Sequence, residues 1–375
     1  MEARERLREA KRVVVKVGTS TLVHASGKPD FRRMDRLVRE IADLKNEGRE
    51  MVLVSSGAIA IGMDRMGLRE KPAEMPARQA LAAIGQFSLM TLYKKFFSDY
   101  GQTAAQVLLT KENAARHHQY ANSRNALLEL LSMGAVPIIN ENDVVAVDEI
   151  KIGDNDTLSA TVATLIDADA LLILSDIDGL YTANPQTDKT ARLIPVVREI
   201  TPEIERMAGG ASSSFGTGGM ATKIEAAKIA VNTGVTFVIA PSGREDVIAA
   251  VLAGDSVGTV FPAKESHLNV RKGWLAFGKR IAGDIIVDEG CAEAMRLNGS
   301  SLLAAGIVSF EGDFSAGATV RVLSENHQEL ARGIVNYGAA ELLKIAGRQS
   351  RDFTSLLDGK IHEEVIHRDN MVLMV

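Results

Sequence analysis

RVVVKVG, residues 12–18, places four valines around one lysine, with no alternation of polar and apolar positions. A strand that is apolar on both faces is typical of a parallel sheet covered by helices on both sides. Lys16 stands out, because a lysine in a buried strand must find an anion or lose its charge. The segment therefore predicts a buried strand that carries a functional lysine; an exposed edge strand is the alternative.

Short apolar runs of the same kind recur over the first two thirds of the chain, and helical patterns separate most of them. The other strand-like runs are MVLVSSG, AAQVLLT, AVPIIN, ALLILSD, TFVIA and GTVF. The helical patterns fall near residues 31–47, 77–99, 120–132, 156–166, 220–232 and 244–252. This alternation predicts an α/β fold, an αβα sandwich with a mostly parallel central sheet, over residues 1–262.

The character of the sequence changes after residue 262. Short segments bounded by glycine follow, among them GDIIVDEG and GATVRVLS. They are typical of short strands joined by tight turns. We predict a linker over residues 263–278 and a small β-rich domain over residues 279–375.

Composition limits the kinds of function. The 375 residues carry a formal net charge of −5 and have a pI near 5.9, which argues against a general nucleic-acid binder. The one cysteine, Cys291, excludes an intrachain disulfide and a cysteine zinc cluster and favours a reducing compartment. The apolar run near the N-terminus is too short for a signal-peptide core or a membrane span. We therefore predict a cytoplasmic protein, without a membrane partner, that binds a small ligand.

Four of the predicted strands end in small or polar residues. These endings are KVGTS, VSSGA, IINEND and LSDIDG. Because ligands of such sheets bind beyond the carboxyl ends of the strands, the four endings predict one binding site along a shared edge.

A glycine-rich segment, SFGTGGMATK at residues 214–223, precedes a predicted helix that begins near Met220. Its glycines allow backbone N–H groups to converge, the helix start adds its positive dipole end, and Lys223 adds a full charge. The sequence contains neither a Walker phosphate loop nor a dinucleotide-binding glycine motif. We interpret the segment as an anion-binding site, with a plain helix-entry loop as the alternative.

NENDVVAVDEIKIGDNDTLSA, residues 140–160, holds six carboxylates and three asparagines between apolar runs. A solvated acidic loop is one interpretation. Together with the two lysines, the segment indicates instead a nucleoside triphosphate with Mg²⁺ and a cationic group on a second substrate. Asp154 in GDND is the candidate metal ligand, directly or through water.

Six of these segments occur together and in a fixed order: VVKVGTS, LVSSGAIAIG, INENDVV, EIKIGDNDTLSA, LSDIDGLYTANP and GTGGMATK. In this combination the chain resembles the amino-acid kinase family over roughly residues 10–262, and within it the branch that phosphorylates glutamate. The C-terminal part is similar to the PUA module that many bacterial enzymes of that branch carry.

The resemblance implies a set of site residues. Ser56, Asp143 and Asn155 would bind the amino-acid substrate. The nucleotide-binding residues would be Lys16, Gly18, Ser175, Asp176, Thr217, Gly218, Gly219, Met220, Ala221, Thr222 and Lys223. We predict Lys16, Lys223 and Asp156 as the catalytic group, with Asp156 orienting the two lysines.

The implied reaction is ATP-dependent phosphorylation of the side-chain carboxylate of L-glutamate, the first step of proline biosynthesis. A carboxylate with a pKa of about 4 is already ionised at neutral pH, so this reaction requires no general base. It requires cancellation of charge where an anionic nucleophile approaches an anionic phosphate. Lys16 and Lys223 can supply that cancellation, while Asp143 can pair with the substrate ammonium.

The resemblance also implies several partners. They are proline as a feedback inhibitor acting near residues 140–155, further copies of the chain in a homo-oligomer, and a reductase that accepts the unstable acyl phosphate. That reductase would be glutamate-5-semialdehyde dehydrogenase.

Three alternatives stay open. They are another amino-acid kinase (aspartate, acetylglutamate or carbamate kinase), an RNA-binding protein, and a sensor that binds both ligands without turnover. Residues 271–375 contain 12 Lys or Arg against 14 Asp or Glu, which argues against RNA binding by the PUA-like domain.

Overall fold

The computed structural model of the protein describes residues 3–110, 117–145, 155–185, 187–209, 219–264, 281–298, 300–349, 353, 356–357 and 362–374. The chain forms two compact units that divide between residues 265 and 266. Each unit has its own hydrophobic core.

A seven-stranded sheet forms the centre of the first unit. Its strands are β1 (Arg12–Val17), β2 (Glu50–Ser55), β3 (Ala104–Leu109), β4 (Val136–Glu141), β5 (Ala170–Ser175), β6 (Thr236–Pro241) and β7 (Thr259–Phe261). They lie in the order β3-β4-β2-β1-β5-β6-β7. Neighbours are parallel except at the edge, where β7 runs antiparallel to β6. The predicted mostly parallel sheet is confirmed, with β1 at its centre rather than at an edge.

Helices connect the strands. They are α1 (Glu5–Arg8), α2 (Thr19–Leu22), α3 (Phe31–Asn46), α4 (Ala58–Arg65), α5 (Met75–Asp99), α6 (His117–Ser132), α7 (Asn155–Leu165), α8 (Pro202–Gly209), α9 (Met220–Asn232) and α10 (Val247–Leu252). The six predicted helices are present, and α1, α2, α4 and α8 are additional. Among the described residues, none of the helices has both the length and the apolar character needed to cross a lipid bilayer.

The central strand shows why the apolar runs lack alternation. Val13, Val15 and Val17 belong to one hydrophobic cluster, whereas Val14 belongs to the other, and all four are fully buried. Side chains of a strand point alternately to the two faces of the sheet. Both faces of the sheet are therefore covered, as the runs of consecutive valines predicted.

Helices α4 and α5 approach each other at two glycines. A β-carbon on Gly85 of α5 would fall inside the carbonyl group of Ala58, and one on Gly62 of α4 would fall inside the carbonyl group of Leu81. The two backbones are thus in direct contact. Since α4 begins just after Ser56 and Gly57, this contact brings α5 next to the polar end of β2.

Replacing Gly85 with alanine is expected to destabilise the protein. Alanine favours a helix over glycine by about 1 kcal/mol, but the overpacking forces the two backbones apart at a cost of about 1–3 kcal/mol or more. Urea unfolding measures the difference. Gly243→Ala is the matched control, because a β-carbon there meets nothing within 4 Å. An unfolding midpoint of Gly85→Ala at or above that of the wild type would contradict the backbone contact.

The second unit is a smaller β-rich fold, as predicted. Its elements are β8 (Asp284–Val287), α11 (Glu289–Asn298), β9 (Ile307–Glu311), β10 (Thr319–Ser324), β11 (Glu329–Ile334), α12 (Ala339–Ile345) and β12 (Met371–Leu373). The strand order is β12-β11-β10-β8-β9, with β10 and β8 parallel and the other pairs antiparallel. Two short 3₁₀ helices lie at Ala304–Gly306 and Arg368–Asn370.

Candidate active site

Three charged side chains meet beyond the carboxyl end of β1. The Nζ atom of Lys16 lies 2.5 Å from Oδ1 of Asp156, and the Nζ atom of Lys223 lies 3.1 Å from Oδ2 of the same carboxylate. Each lysine is 6% exposed, and Asp156 is fully buried. The structure thus brings together the three residues predicted as the catalytic group.

The two lysines of this cluster keep the carboxyl group of Asp156 ionised. Burial by itself raises the pKa of Asp156, but the two ammonium groups outweigh burial and hold that pKa below its usual range. Asp156 is therefore an anion at neutral pH.

Backbone placement decides which residues meet. Lys16 lies in β1, opposite Val54 of β2 and Ile173 of β5, at the centre of the sheet. Asp156 lies in the first turn of α7, and Lys223 lies at the start of α9. Both helices begin on the side of the sheet where the parallel strands have their carboxyl ends.

Thr222 adds a further contact to this cluster. Its hydroxyl group lies 3.2 Å from Oδ2 of Asp156 and 2.7 Å from the carbonyl oxygen of Gly219. Gly219 is the N-cap of α9, as predicted for the end of the glycine-rich segment. Met220 and Thr222 of the predicted nucleotide segment therefore belong to the first turn of a helix that points at the cluster.

A chain of amides extends from the cluster towards β2 and β4. The two N–H groups of the Asn155 side chain have three acceptors within hydrogen-bonding distance of the nitrogen: Oγ of Ser56 at 2.9 Å, Oδ1 of Asn140 at 2.9 Å and the carbonyl oxygen of Ser55 at 3.2 Å. Because Asn155 and Asp156 are adjacent in sequence, the amide chain and the lysine cluster share one wall. Two of the three predicted substrate residues, Ser56 and Asn155, are thus in direct contact.

Gln86 and Tyr93 of α5 form hydrogen bonds with Asn140 and Ser55, at the ends of β4 and β2. Neither residue was among the predicted site residues. Gln86 Oε1 accepts a hydrogen bond of 2.8 Å from the side-chain nitrogen of Asn140. The hydroxyl group of Tyr93 lies 2.8 Å from Oγ of Ser55. A glutamine and a tyrosine among the apolar positions of α5 were the available signal.

Asp143 lies in a turn just after β4 and is half-buried. Burial raises the pKa of its carboxyl group, and the positive charge of Lys71 acts in the opposite direction. A carboxylate that has lost part of its hydration gains stability when a cation approaches it.

The remaining described residues of the prediction lie at the ends of β1 and β5. Gly18 follows β1 as the N-cap of α2. Ser175 ends β5, and its hydroxyl group donates to Oδ1 of Asp176 at 3.1 Å. Four strands with polar ends, β4, β2, β1 and β5, are consecutive neighbours in the sheet, so their endings share one edge.

Some predicted residues lie outside the described residues. They are Asp154, the candidate metal ligand, and Thr217 and Gly218 of the glycine-rich segment. Within the described ranges, no group of three or more His, Cys, Asp or Glu side chains is arranged to hold a metal ion.

Comparisons with known proteins give consistent results for both units. The family model described as amino acid kinase family matches residues 11–240, and the PUA domain model matches residues 283–357. The chain is 51% identical over 373 residues to a glutamate 5-kinase of Moorella thermoacetica, covering 100% of this chain and 99% of that protein. It is 50% identical over 372 residues to a glutamate 5-kinase of Carboxydothermus hydrogenoformans, covering 99% and 100%. A third similar protein is a glutamate 5-kinase of Caldanaerobacter subterraneus, 49% identical over 363 residues, covering 97% and 98%.

Proposed function

The chain belongs to the amino acid kinase family, and from this membership we propose that it transfers the γ-phosphoryl group of ATP to the side-chain carboxylate of L-glutamate. The family prediction made from the sequence is confirmed. The product is L-glutamyl 5-phosphate, the first intermediate of proline biosynthesis. The observation that carries the proposal is the contact of Lys16 and Lys223 with the buried carboxylate of Asp156, beyond the carboxyl end of the central strand β1.

The reaction joins two anions, and the cluster is suited to that task. As the glutamate carboxylate approaches the γ-phosphate, negative charge accumulates on the phosphoryl oxygens. Lys16 and Lys223 stabilise that charge, and Asp156 holds their ammonium groups in place. Such preorganised charges act strongly because the site is shielded from water.

Different residues bind the triphosphate of ATP, the α-carboxylate of glutamate and its ammonium group in this proposal. The triphosphate lies against Gly18, Gly219 and the first turn of α9, where backbone N–H groups and the helix dipole attract anions. Ser175 and Asp176 complete the nucleotide site at the end of β5. The α-carboxylate end of glutamate binds at Ser56 and Asn155, and its ammonium group pairs with Asp143.

Mg²⁺ is the metal that we propose for this reaction, since it neutralises the phosphates of ATP. Asp154, two residues before Asp156, is its proposed ligand, directly or through water.

Asp143→Ala is expected to raise the apparent KM for glutamate by about 10-fold or more, with a much smaller change in turnover. The reason is that an ion pair with the substrate ammonium exists in both the ground state and the transition state. Steady-state kinetics with varied glutamate measure the effect. Val144→Ala, at the adjacent exposed position, is the control. A collapse of turnover at unchanged KM would assign Asp143 a different role.

One assay tests the proposed function. Purified protein is incubated with ATP, Mg²⁺ and one amino acid, and ADP release is recorded. We expect release with L-glutamate and little with aspartate, N-acetylglutamate or bicarbonate with ammonia. Release with one of the latter alone would identify a different kinase of the family, and no release with any would favour a sensor.

Further proposals concern partners. Proline inhibits ADP release, acting at or near the glutamate site. Further copies of the chain form a homo-oligomer. Glutamate-5-semialdehyde dehydrogenase consumes the acyl phosphate. RNA binding by the PUA unit is not proposed, given the acidic composition of residues 271–375.

A further inference from the structure

The buried amide of Gln86 has one half of its hydrogen-bonding capacity satisfied. Its Oε1 accepts from Asn140, whereas its Nε2 is buried and has no hydrogen-bond partner among the described residues. The residue itself is 9% exposed. Leaving a buried donor unpaired costs about 1–3 kcal/mol, so a glutamine in this position requires an explanation.

A backbone group fixes the orientation of the side-chain amides of Asn140, Gln86 and Asn155. The N–H group of Glu141 can only donate, and it donates to Asn140 at 2.8 Å, which identifies that atom as Oδ1. The nitrogen of Asn140 must then face Gln86, so the atom of Gln86 that faces Asn140 must be the acceptor Oε1. The amide orientations are therefore set by the backbone and not by choice between equivalent atoms.

The predicted substrate residues Asn155 and Ser56 continue the same series of hydrogen bonds. Asn140 Oδ1 is an acceptor, so Asn155 turns its nitrogen towards it and towards Ser56. Ser56 Oγ accepts one hydrogen from Asn155, which leaves the hydroxyl proton of Ser56 available for a ligand. The chain from Gln86 through Asn140 and Asn155 to Ser56 thus has a single direction.

We propose that Gln86 is a positioning residue for the amino-acid substrate, because its Oε1 holds the far end of the amide chain that orients Asn155 and Ser56. This inference rests on the proposed function, since it assigns Gln86 to the glutamate half of that site. Without the acceptor at position 86, the buried nitrogen of Asn140 loses its hydrogen bond, while its Oδ1 keeps those from Glu141 and Asn155. Asn140 is then held at one end only, and it orients Asn155 and Ser56 towards the substrate less firmly.

The packing of α5 supports the assignment. Gly85, the preceding residue, brings the backbone of α5 into contact with α4, which begins just after Ser56 and Gly57. The position of Gln86 relative to the end of β2 is therefore held by backbone contact.

The test compares kinetics of Gln86→Leu with those of the wild type. Wild-type ADP release with L-glutamate is established first, and its absence would overturn the proposed function without any statement about Gln86. With that activity in hand, Gln86→Leu is expected to raise the KM for glutamate by about 10-fold, equivalent to about 1.4 kcal/mol, and to change the KM for ATP by less than about 2-fold. A glutamate KM within about 2-fold of the wild type, or an equal rise of both KM values, overturns the proposal.

Two further variants separate orientation from packing. Leu89→Ala removes a buried apolar side chain of the same helix and is expected to lower the unfolding midpoint without changing the glutamate KM. If Gln86→Leu fails to fold, Gln86→Met, which is unbranched and close in volume, takes its place with the same two outcomes.

Gln86→Glu provides a readout that a purely structural role would not produce. A carboxyl group offers an acceptor oxygen to Asn140 whether it is ionised or protonated, as Oε1 of the glutamine does. Gln86→Glu is therefore expected to keep a glutamate KM closer to that of the wild type than Gln86→Leu does. A glutamate KM of Gln86→Glu as high as that of Gln86→Leu contradicts the role of the acceptor.

Discussion

Lys223→Ala is expected to lower turnover by about 100-fold or more, with little change in the KM for glutamate. Losses of this size are usual when one charge that stabilises the transition state is removed. The lysine contacts the buried carboxylate of Asp156 from the start of α9, the helix end at which we propose that the triphosphate binds. Initial rates of ADP release at saturating glutamate and ATP measure the effect.

The fold should survive this change, because Asp156 retains Lys16 as a partner. Lys228→Ala is the matched control: Lys228 lies on the same helix, pairs with Glu205 at 2.8 Å, and its side chain is 34% exposed. We expect normal turnover for that variant, since exposed ion pairs contribute little. Turnover of Lys223→Ala within a few-fold of the wild type would remove Lys223 from the proposed machinery.

Asp156→Asn is expected to have the second large effect, on both activity and stability. It leaves two buried ammonium groups facing a neutral amide. Removing one partner of a buried ion pair costs about 3–5 kcal/mol, and misplaced lysines are expected to lower turnover by about 100-fold or more. Urea unfolding and ADP release measure the two effects.

The control for Asp156→Asn is Asp167→Asn. Asp167 follows the same helix, α7, pairs with Arg124 at the surface, and has a positive φ of 50°, which asparagine tolerates. We expect a change in unfolding free energy of less than about 1 kcal/mol there. Equal effects of the two substitutions would show that burial of Asp156 is unimportant.

The direction of the pKa shift of Asp156 adds a pH dependence. Its pKa is lower in the folded protein than in the unfolded chain, so the unfolded chain binds more protons as the pH falls. The stabilisation is present above the unfolded value of about 4 and is lost as the pH falls through the folded value. The stability difference between wild type and Asp156→Asn should therefore shrink in acid.

The α/β class could be predicted because the apolar character of each strand is a local property of the sequence. Consecutive valines in β1 and consecutive leucines in β5 have no polar face, and only a sheet covered on both sides can bury such strands. Helix α9 begins at Met220, as expected from the glycines before it. By contrast, α1, α2, α4 and α8 were missed, because short helices carry too few turns for a clear period.

For the active site, local sequence identified the candidate residues but not their partners. Lys16 had to find an anion, and the prediction that this anion is Asp156, 140 positions later, came from the whole set of motifs and not from the residues near Lys16. In GDND, Asp156 was predicted to orient the lysines and Asp154 to bind the metal, and Thr222 was one member of a nucleotide segment. Their separate contacts depend on which helix starts face the end of β1.

The sequence by itself determined the α/β class, the order of strands and helices, and the residue types available for phosphoryl transfer, because these depend on local periodicity and on polar residues at strand ends. Only the tertiary structure showed that Asp156 is fully buried and contacts both lysines directly, and that Gln86 accepts a hydrogen bond from Asn140. Those contacts join residues of α5, β4, α7, β1 and α9, and the strand order of the sheet and the backbone contact at Gly85 place them within hydrogen-bonding distance.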